Sequence, residues 1–423
     1  MTPASPLRVV VVARAVMPLH GVGGLERSVH DLVRHLAERG VNVTLIVPPA
    51  SVRHQSWTDP FARPQITVRH VSYLTFPFAN RRGTTVLDRS TAYLLYGYRA
   101  GRLAQALARD SSADIIHGFG ASLLGAAVGP SAVPLVLNPQ GLEEFGATAA
   151  TQPFVKRVGY APLRWAVRRA ARAADCIIAT DVALEPTVAR HLRPRPGQVE
   201  TIPNGIDLVA LASTAGPADG ALLRQRSGIG VDERVLLSVG RLEFNKGFDV
   251  LARALGRAAA STSFASRAWR WVVVGTGPYR AQIERAAAEA GIAAHTTFAG
   301  RVSETELHAW YEAASLFVHP TRYEGSSLVT LEAMAHRRPV VATNAGGLPD
   351  KVRTGVNGWL VEPDDAEVLA AALEGALEDD DRLKAMGAAS RTLVEREFSW
   401  SVIADRHIAM YRRVIAARAN IRG

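Results

Sequence analysis

The stretch FVHPTRYEGSSLVTLEAMAHRRPVVA, Phe317 to Ala342, joins two short apolar runs through a polar loop and a helix-length segment. Residues 315–318 read as a buried strand. Leu328, Leu331 and Ala335 recur at helical spacing, which predicts a helix starting near Ser326 or Ser327. Glu324 then stands just ahead of that helix, and Glu332 lies about two turns further in. A serine at the boundary caps free backbone N–H groups, and the N-terminal end of a helix favours an anion such as phosphate. Carboxylates accept hydrogen bonds from hydroxyls strongly, so this pair suits a ligand with hydroxyls at both ends and phosphates between. A nucleotide sugar fits that description. Taken alone, two glutamates at such a spacing are more often a solvated loop residue and a surface residue, so the rest of the chain has to decide.

The same rhythm extends outward. LRVVVVAR, residues 25–39 and VNVTLIVP give strand, helix and strand near the start, and RVLLSVGR, WRWVVVGTG, HTTFAG, ASLFVHP and RPVVAT form a second series separated by helix-length segments. Such alternation predicts parallel sheets covered by helices on both faces, an α/β doubly wound class, repeated twice. VETIPNGID, Val199 to Asp207, carries turn residues at Pro203, Asn204 and Gly205 and marks the boundary; RPRPG precedes it. At 423 residues two domains are expected, each large enough for its own core.

Hydrophobic residues make up 48% of the chain, yet no run approaches the roughly 20 apolar residues of a membrane span. VVVVARAVMPL is broken by Arg14 and followed by GVGG, which reads as a first strand and loop rather than a leader. The single cysteine, Cys176, sits in the apolar run CIIA and reads as a small buried side chain, so a cytoplasmic setting is the expectation. The formal net charge of +10 arises wholly before residue 206. Either the first half meets something acidic, for which an anionic membrane face or a phosphorylated acceptor are candidates, or it is a solvated arginine-rich surface. Nucleic acid ranks last: no zinc-finger spacing, aromatic RNA-binding motif or lysine-rich tract is present. In FVKRVGYAPLRWAVRRAARA, Phe154 to Ala173, cations interleave with aromatics. That pattern fits a helix docked on a membrane face and equally one packed internally, with Pro162 interrupting it.

The segment from Phe317 closely resembles the E-x7-E signature of retaining glycosyltransferases of family 4, which have the GT-B fold, including LEAMA and PVVA. The resemblance runs over nearly the whole chain, through GVGGLERSVHDLVRHLAERG, DIIHGFG, IPNGID, SVGRLEFNKGFDVL, VVVGTGP and FSWSVIADRHIAMY. It implies two Rossmann-like domains facing across a cleft: residues 1–203 with 401–423 on the acceptor side, and 204–400 binding the nucleotide-sugar donor. By the same resemblance the last helix returns to the first domain, Glu324 binds donor sugar hydroxyls and Glu332 binds the ribose. Ser326, Ser327 and Leu328 form the helix start beside the phosphates, where the family often has Phe-Gly in place of the two serines.

SVGRLEFNKG puts Arg241 and Lys246 just past a strand end, where two cations can answer charge growing on a departing diphosphate. They match the family's R-x4-K pattern, whose role is diphosphate binding. Gly21, Gly23 and Gly24 precede a helix expected from Leu25 or Glu26 and let backbone approach a ligand; a tight turn explains them equally well. In the family this loop nears donor phosphates and acceptor. Gly275 borders the nucleotide pocket by resemblance, and Arg301 and Val302 match a position where the base meets backbone. Gln140 stands where the family often has a histidine contacting the donor sugar; glutamine keeps the hydrogen bonding and loses any proton transfer. His117 and His319 end apolar strands, a placement that is usually structural.

These readings together predict a retaining, metal-independent hexosyltransferase of cell-surface glycan or glycolipid assembly. It would use a UDP- or GDP-sugar as co-substrate, no separate cofactor, and a saccharide or lipid-linked acceptor. The alternatives are an epimerase or hydrolase of the same fold and a non-catalytic nucleotide-sugar binder.

Overall fold

Strand β1 (Arg8–Val12) shows how the first sheet is built: Val9 and Val11 pack on one face, Val10 and Val12 on the other, and all four are buried. A strand buried on both faces needs no polar alternation, which is why it reads as a continuous valine run. The computed structural model describes residues 5–21, 23–50, 61–73, 88, 90–146 and 158–422, and it divides into two units, 1–204 with 400–423, and 205–399. Phe154 to Arg157 of the basic stretch, and Val22 of the glycine loop, lie outside the described residues.

In the first unit α1 (Gly24–Glu38), β2 (Asn42–Val47), β3 (Ile66–His70), α2 (Ala92–Arg109), β4 (Ile115–Phe119), β5 (Leu135–Asn138), α3 (Ala161–Ala173), β6 (Cys176–Ala179), α4 (Glu185–Leu192) and β7 (Val199–Thr201) follow β1. The seven strands among the described residues are all parallel, in the order β3-β2-β1-β4-β5-β6-β7. The order reverses between β1 and β4, the place where sheets of this kind bind ligands outside the carboxyl ends of their strands. The C-terminal helix, Trp400–Arg422, belongs to this unit. Trp400 stacks on His35 of α1 with ring centroids 5.8 Å apart, and Arg39 donates to the Ser401 carbonyl at 2.6 Å.

The second unit repeats the plan with β8 (Arg234–Val239), α5 (Phe248–Ala258), β9 (Trp269–Val274), α6 (Arg280–Glu289), β10 (Thr296–Gly300), α7 (Glu304–Ala313), β11 (Leu316–His319), α8 (Leu328–Ala335), β12 (Val340–Thr343), β13 (Gly358–Val361), α9 (Ala366–Leu377) and α10 (Asp380–Leu393). Its six parallel strands run β10-β9-β8-β11-β12-β13, so the reversal falls between β8 and β11. Leu236, Val273 and Val318 pack under α5 and α9, while Leu237, Val272 and Phe317 pack under α7 and α8. Each such side chain contributes roughly 1.5–3 kcal/mol of burial, before the entropy of ordering the chain is subtracted.

The strand expected at residues 315–318 is Leu316–His319, and α8 begins at Leu328 with Ser327 as its cap, where the sequence placed it. Helix α1 begins at Gly24 rather than at Leu25 or Glu26, because Gly23 adopts the extended cap conformation itself.

No described helix is long and apolar enough to cross a membrane. Helix α3 buries Leu163, Ala166, Val167, Ala170 and Ala171. Of its cations, Arg164 donates to the Glu144 carbonyl at 3.2 Å and Arg168 to the His191 carbonyl at 3.0 Å, so both are held by the protein while Trp165 stays exposed.

Candidate active site

Glu324 sits at the β8/β11 reversal of the second unit, in the loop that leaves β11. Its Oε2 accepts a hydrogen bond from Lys246 Nζ at 2.6 Å, and His319 Nε2 lies 2.7 Å from the same oxygen. Burial alone would raise the carboxyl group's pKa. The His319 hydrogen bond and the Lys246 charge outweigh it and bring the pKa down to about 2. Burial lowers the His319 pKa in spite of Glu324, so the ring is neutral at pH 7 with its proton on Nε2. His319 Nδ1 is then a buried acceptor with no partner.

Two glycines make this geometry possible. Gly247 has φ +65°, and a Cβ there would lie 1.9 Å from the Pro320 carbonyl oxygen, so only glycine lets the Lys246 loop touch the loop after β11. Gly346 has φ +53°, and its Cβ would lie 1.7 Å from the Glu324 carbonyl oxygen. Both contacts press the Glu324 loop into place.

Arg322 laces the same loops together. Its guanidinium meets both Asp249 carboxylate oxygens at 2.8 Å, donates to Asp364 at 2.5 Å, and lies 4.0 Å from the Phe244 ring centroid. Such a bidentate, stacked arginine fixes geometry as well as charge. Thr321 adds a 2.8 Å bond to the Asn245 carbonyl. Neither Arg322 nor His319 was singled out as a site residue by sequence. His319 carried one usable signal, its place at a strand end five residues before Glu324.

Glu332 is on α8, 4% exposed, and accepts a hydrogen bond from Tyr311 Oη of α7 at 2.9 Å. The Tyr311 ring stacks on His336 with centroids 5.6 Å apart. His336 Nδ1 lies 2.6 Å from Glu312 Oε1 and its Nε2 lies 2.8 Å from His308 Nδ1, giving a buried polar relay behind the helix. Ser327 Oγ accepts from the Thr330 amide at 3.4 Å, while Ser326 Oγ is buried without a partner. Leu328 opens the helix.

Arg241 and Lys246 do not share a partner. Arg241 is exposed and pairs with Glu243 at 2.5 Å, whereas Lys246 is held at Glu324. Gly275 follows β9 with its amide bonded to the Gly300 carbonyl at 2.8 Å, and Arg301 and Val302 follow β10 at the sheet edge. Gly23, Gly24 and Gln140 belong to the first unit. There Gln140 follows β5 and lines a cavity with Arg14, Tyr93 and Phe119 at the ends of β1, β4 and β5. His117 is structural: Tyr411 of the C-terminal helix lies 2.7 Å from its Nδ1, and burial holds its pKa well below the ordinary value.

Comparison with known proteins identifies the scaffold. The model of the Glycosyltransferase Family 4 domain matches residues 22–209, and that of the glycosyl transferases group 1 matches residues 221–393. A D-inositol 3-phosphate glycosyltransferase of Mycobacterium marinum is 31% identical over 93% of this chain and 82% of the relative. A GDP-mannose-dependent alpha-(1-6)-phosphatidylinositol monomannoside mannosyltransferase of Mycolicibacterium smegmatis is 32% identical over 56% of this chain and 64% of that protein. Among solved structures, sucrose-phosphate synthase from Thermosynechococcus elongatus superposes with a TM-score of 0.71 at 23% identity, covering 97% of this chain and all of that one. Two parallel-sheet Rossmann-like units, both domain models and a relative matched along nearly the full length leave one assignment: the chain is a GT-B glycosyltransferase of family 4.

Proposed function

We propose that the chain is a retaining transferase that moves a hexose-type sugar from a nucleoside-diphosphate sugar to an acceptor hydroxyl. The observation that carries this is the Lys246–Glu324–His319 cluster beside the Ser327-capped start of α8, at the point of strand reversal. Glu324 holds the donor sugar hydroxyls, and Glu332 the ribose. Lys246, Arg241 and the free amides of α8 steady the diphosphate, with Ser326 Oγ as a further donor. Residues 205–399 are thus the donor side and the first unit the acceptor side.

Glu324 already accepts from Lys246 and His319 through one oxygen, so it serves as a hydrogen-bond acceptor rather than as a nucleophile. Retention then proceeds on one face of the sugar. The leaving phosphate takes the acceptor proton as the acceptor oxygen attacks an oxocarbenium-like carbon, and the bond to the phosphate oxygen breaks. Lys246 and Arg241 replace a metal, and no separate cofactor is involved. The names of the two relatives support a GDP-sugar as one donor candidate and a phosphorylated or lipid-linked polyol as an acceptor. A role in cell-surface glycan or glycolipid assembly, on the cytoplasmic face of an anionic membrane, fits such an acceptor and the basic first unit.

The test is a thermal-shift panel of UDP, GDP, ADP and dTDP. A ligand at a hundred times its dissociation constant stabilises a protein by about 2.7 kcal/mol, and UDP or GDP is expected to shift the unfolding most. Stabilisation by none of the four, in folded protein, defeats the donor-site assignment. Within that reading Tyr311→Phe removes the hydrogen bond that orients Glu332. It should weaken binding of the preferred nucleotide about fivefold, from a loss of roughly 1 kcal/mol, with turnover at saturating donor nearly unchanged. Equal nucleotide affinity in the variant, measured by calorimetry, removes Glu332 from the ribose.

A further inference from the structure

We propose that the cavity at the ends of β1, β4 and β5 in the first unit is a subsite for an anionic amphiphile: an apolar ring or short chain seated in the cavity, with an adjoining phosphate or carboxylate held by Arg14. The proposal rests on the transferase reading and names the class of its acceptor.

The cavity measures about 310 Å³, within the lower range of small-molecule sites, and opens at the carboxyl ends of β1, β4 and β5, where the strand order reverses. Its lining is mostly apolar and includes Leu25, Phe119, Leu142, Leu163 and Val167. The apolar part of an acceptor is favoured against these side chains, while the hydroxyl that receives the sugar lies outside them. Arg14, which follows β1, supplies the charge. Its guanidinium lies 4.9 Å from the Tyr93 ring centroid, and no carboxylate among the described residues forms an ion pair with it. Other half-buried arginines of this chain do have acidic partners, as in Arg8–Asp114 and Arg322–Asp249.

Tyr93 donates its hydroxyl to the Phe119 carbonyl at 3.0 Å, which pins the ring and with it the arginine. A guanidinium held beside a ring in this way, with no carboxylate partner among the described residues, has N–H donors to offer an anion. Glu144, the other charged wall residue, is engaged by a partner of its own. The loop after β5 is shaped to the cavity: Gln140 and Leu142 hold φ of 58° and 53°, a region non-glycine residues seldom occupy. Gln140 directs its amide and its Nε2 to Asn138 Oδ1 at 3.1 and 3.0 Å, which holds the loop in that conformation.

Calorimetry on the full chain with phenyl phosphate, decyl phosphate, benzoate, phenol and inorganic phosphate tests the proposal. At least one amphiphilic anion should bind ten times more tightly than both phenol and inorganic phosphate; the best of the three identifies phosphate or carboxylate, ring or chain. Arg14→Gln should abolish the advantage over phenol, Arg14→Lys should restore part of it, and Val167→Phe, which fills the cavity, should weaken every amphiphile. Inorganic phosphate binding as tightly as phenyl phosphate overturns the apolar half, and phenol doing so overturns the role of Arg14. A protein stabilised by a nucleoside diphosphate that binds none of the probes overturns the subsite alone. A protein that binds the probes and no nucleotide overturns the donor reading alone.

Discussion

Glu324→Gln is expected to lower turnover about a hundredfold while leaving the fold intact. Glutamine keeps the shape and removes the charge, so the loss is that of charge-assisted hydrogen bonds in a closed site, about 1.5–3 kcal/mol each. The structure sharpens the expectation. One Glu324 oxygen already receives Lys246 and His319, and a neutral amide oxygen holds both less well, so the loop is loosened at the same time. Steady-state rates with the preferred donor measure the effect, and wild-type turnover in the variant would falsify the sugar-holding role.

The same substitution has a pH signature. The Glu324 pKa is lowered from 4.5 to about 2, so its stabilising contribution is fully present above pH 4.5 and is lost as pH falls from there towards 2. By linkage that contribution is of order 3 kcal/mol. Melting temperatures of wild type and Glu324→Gln should therefore converge across that window. A gap that stays constant down to pH 2 contradicts the ion-paired carboxylate.

Much of this site was legible because its pieces are local. The run from Phe317 to Ala342 gave strand, cap, helix and strand, since β11 and β12 are buried on both faces and Ser327 caps its own helix. The parts that were not legible depend on contacts between distant residues. Arg322 meets Asp249 across 73 positions and Tyr311 meets Glu332 across 21, and no periodicity encodes either pairing. His319 gave no sign of its contact with Glu324 because that contact depends on the Glu324 loop folding back onto the strand end, which Gly346 and Gly247 enforce from separate segments. The cavity beside Arg14 likewise assembles from the ends of β1, β4 and β5 and from three helices, and the sequence showed only that Gln140 departs from the family pattern.

Lys246→Ala should produce the other large loss, roughly a hundredfold in turnover at saturating donor, with a smaller change in nucleoside-diphosphate affinity. A fixed cation aimed at a leaving phosphate stabilises charge that grows only as the bond breaks, and removing one such group typically costs about 3 kcal/mol. The substitution also leaves the Glu324 carboxylate buried without its cation, a penalty the free enzyme and the complex share unless the donor approaches that oxygen. Arg241 differs. It is 79% exposed on its side chain and tied to Glu243, so it must leave that partner to reach a phosphate. Arg241→Ala is therefore expected to cost less than Lys246→Ala, and the double variant about as much as the two losses combined if each cation touches a different phosphate oxygen. Rates and calorimetric affinities for the two single variants and the double variant separate these cases. Undiminished turnover in the double variant refutes the diphosphate grip. A strict requirement of the wild type for an added divalent metal refutes the claim that these side chains stand in for one.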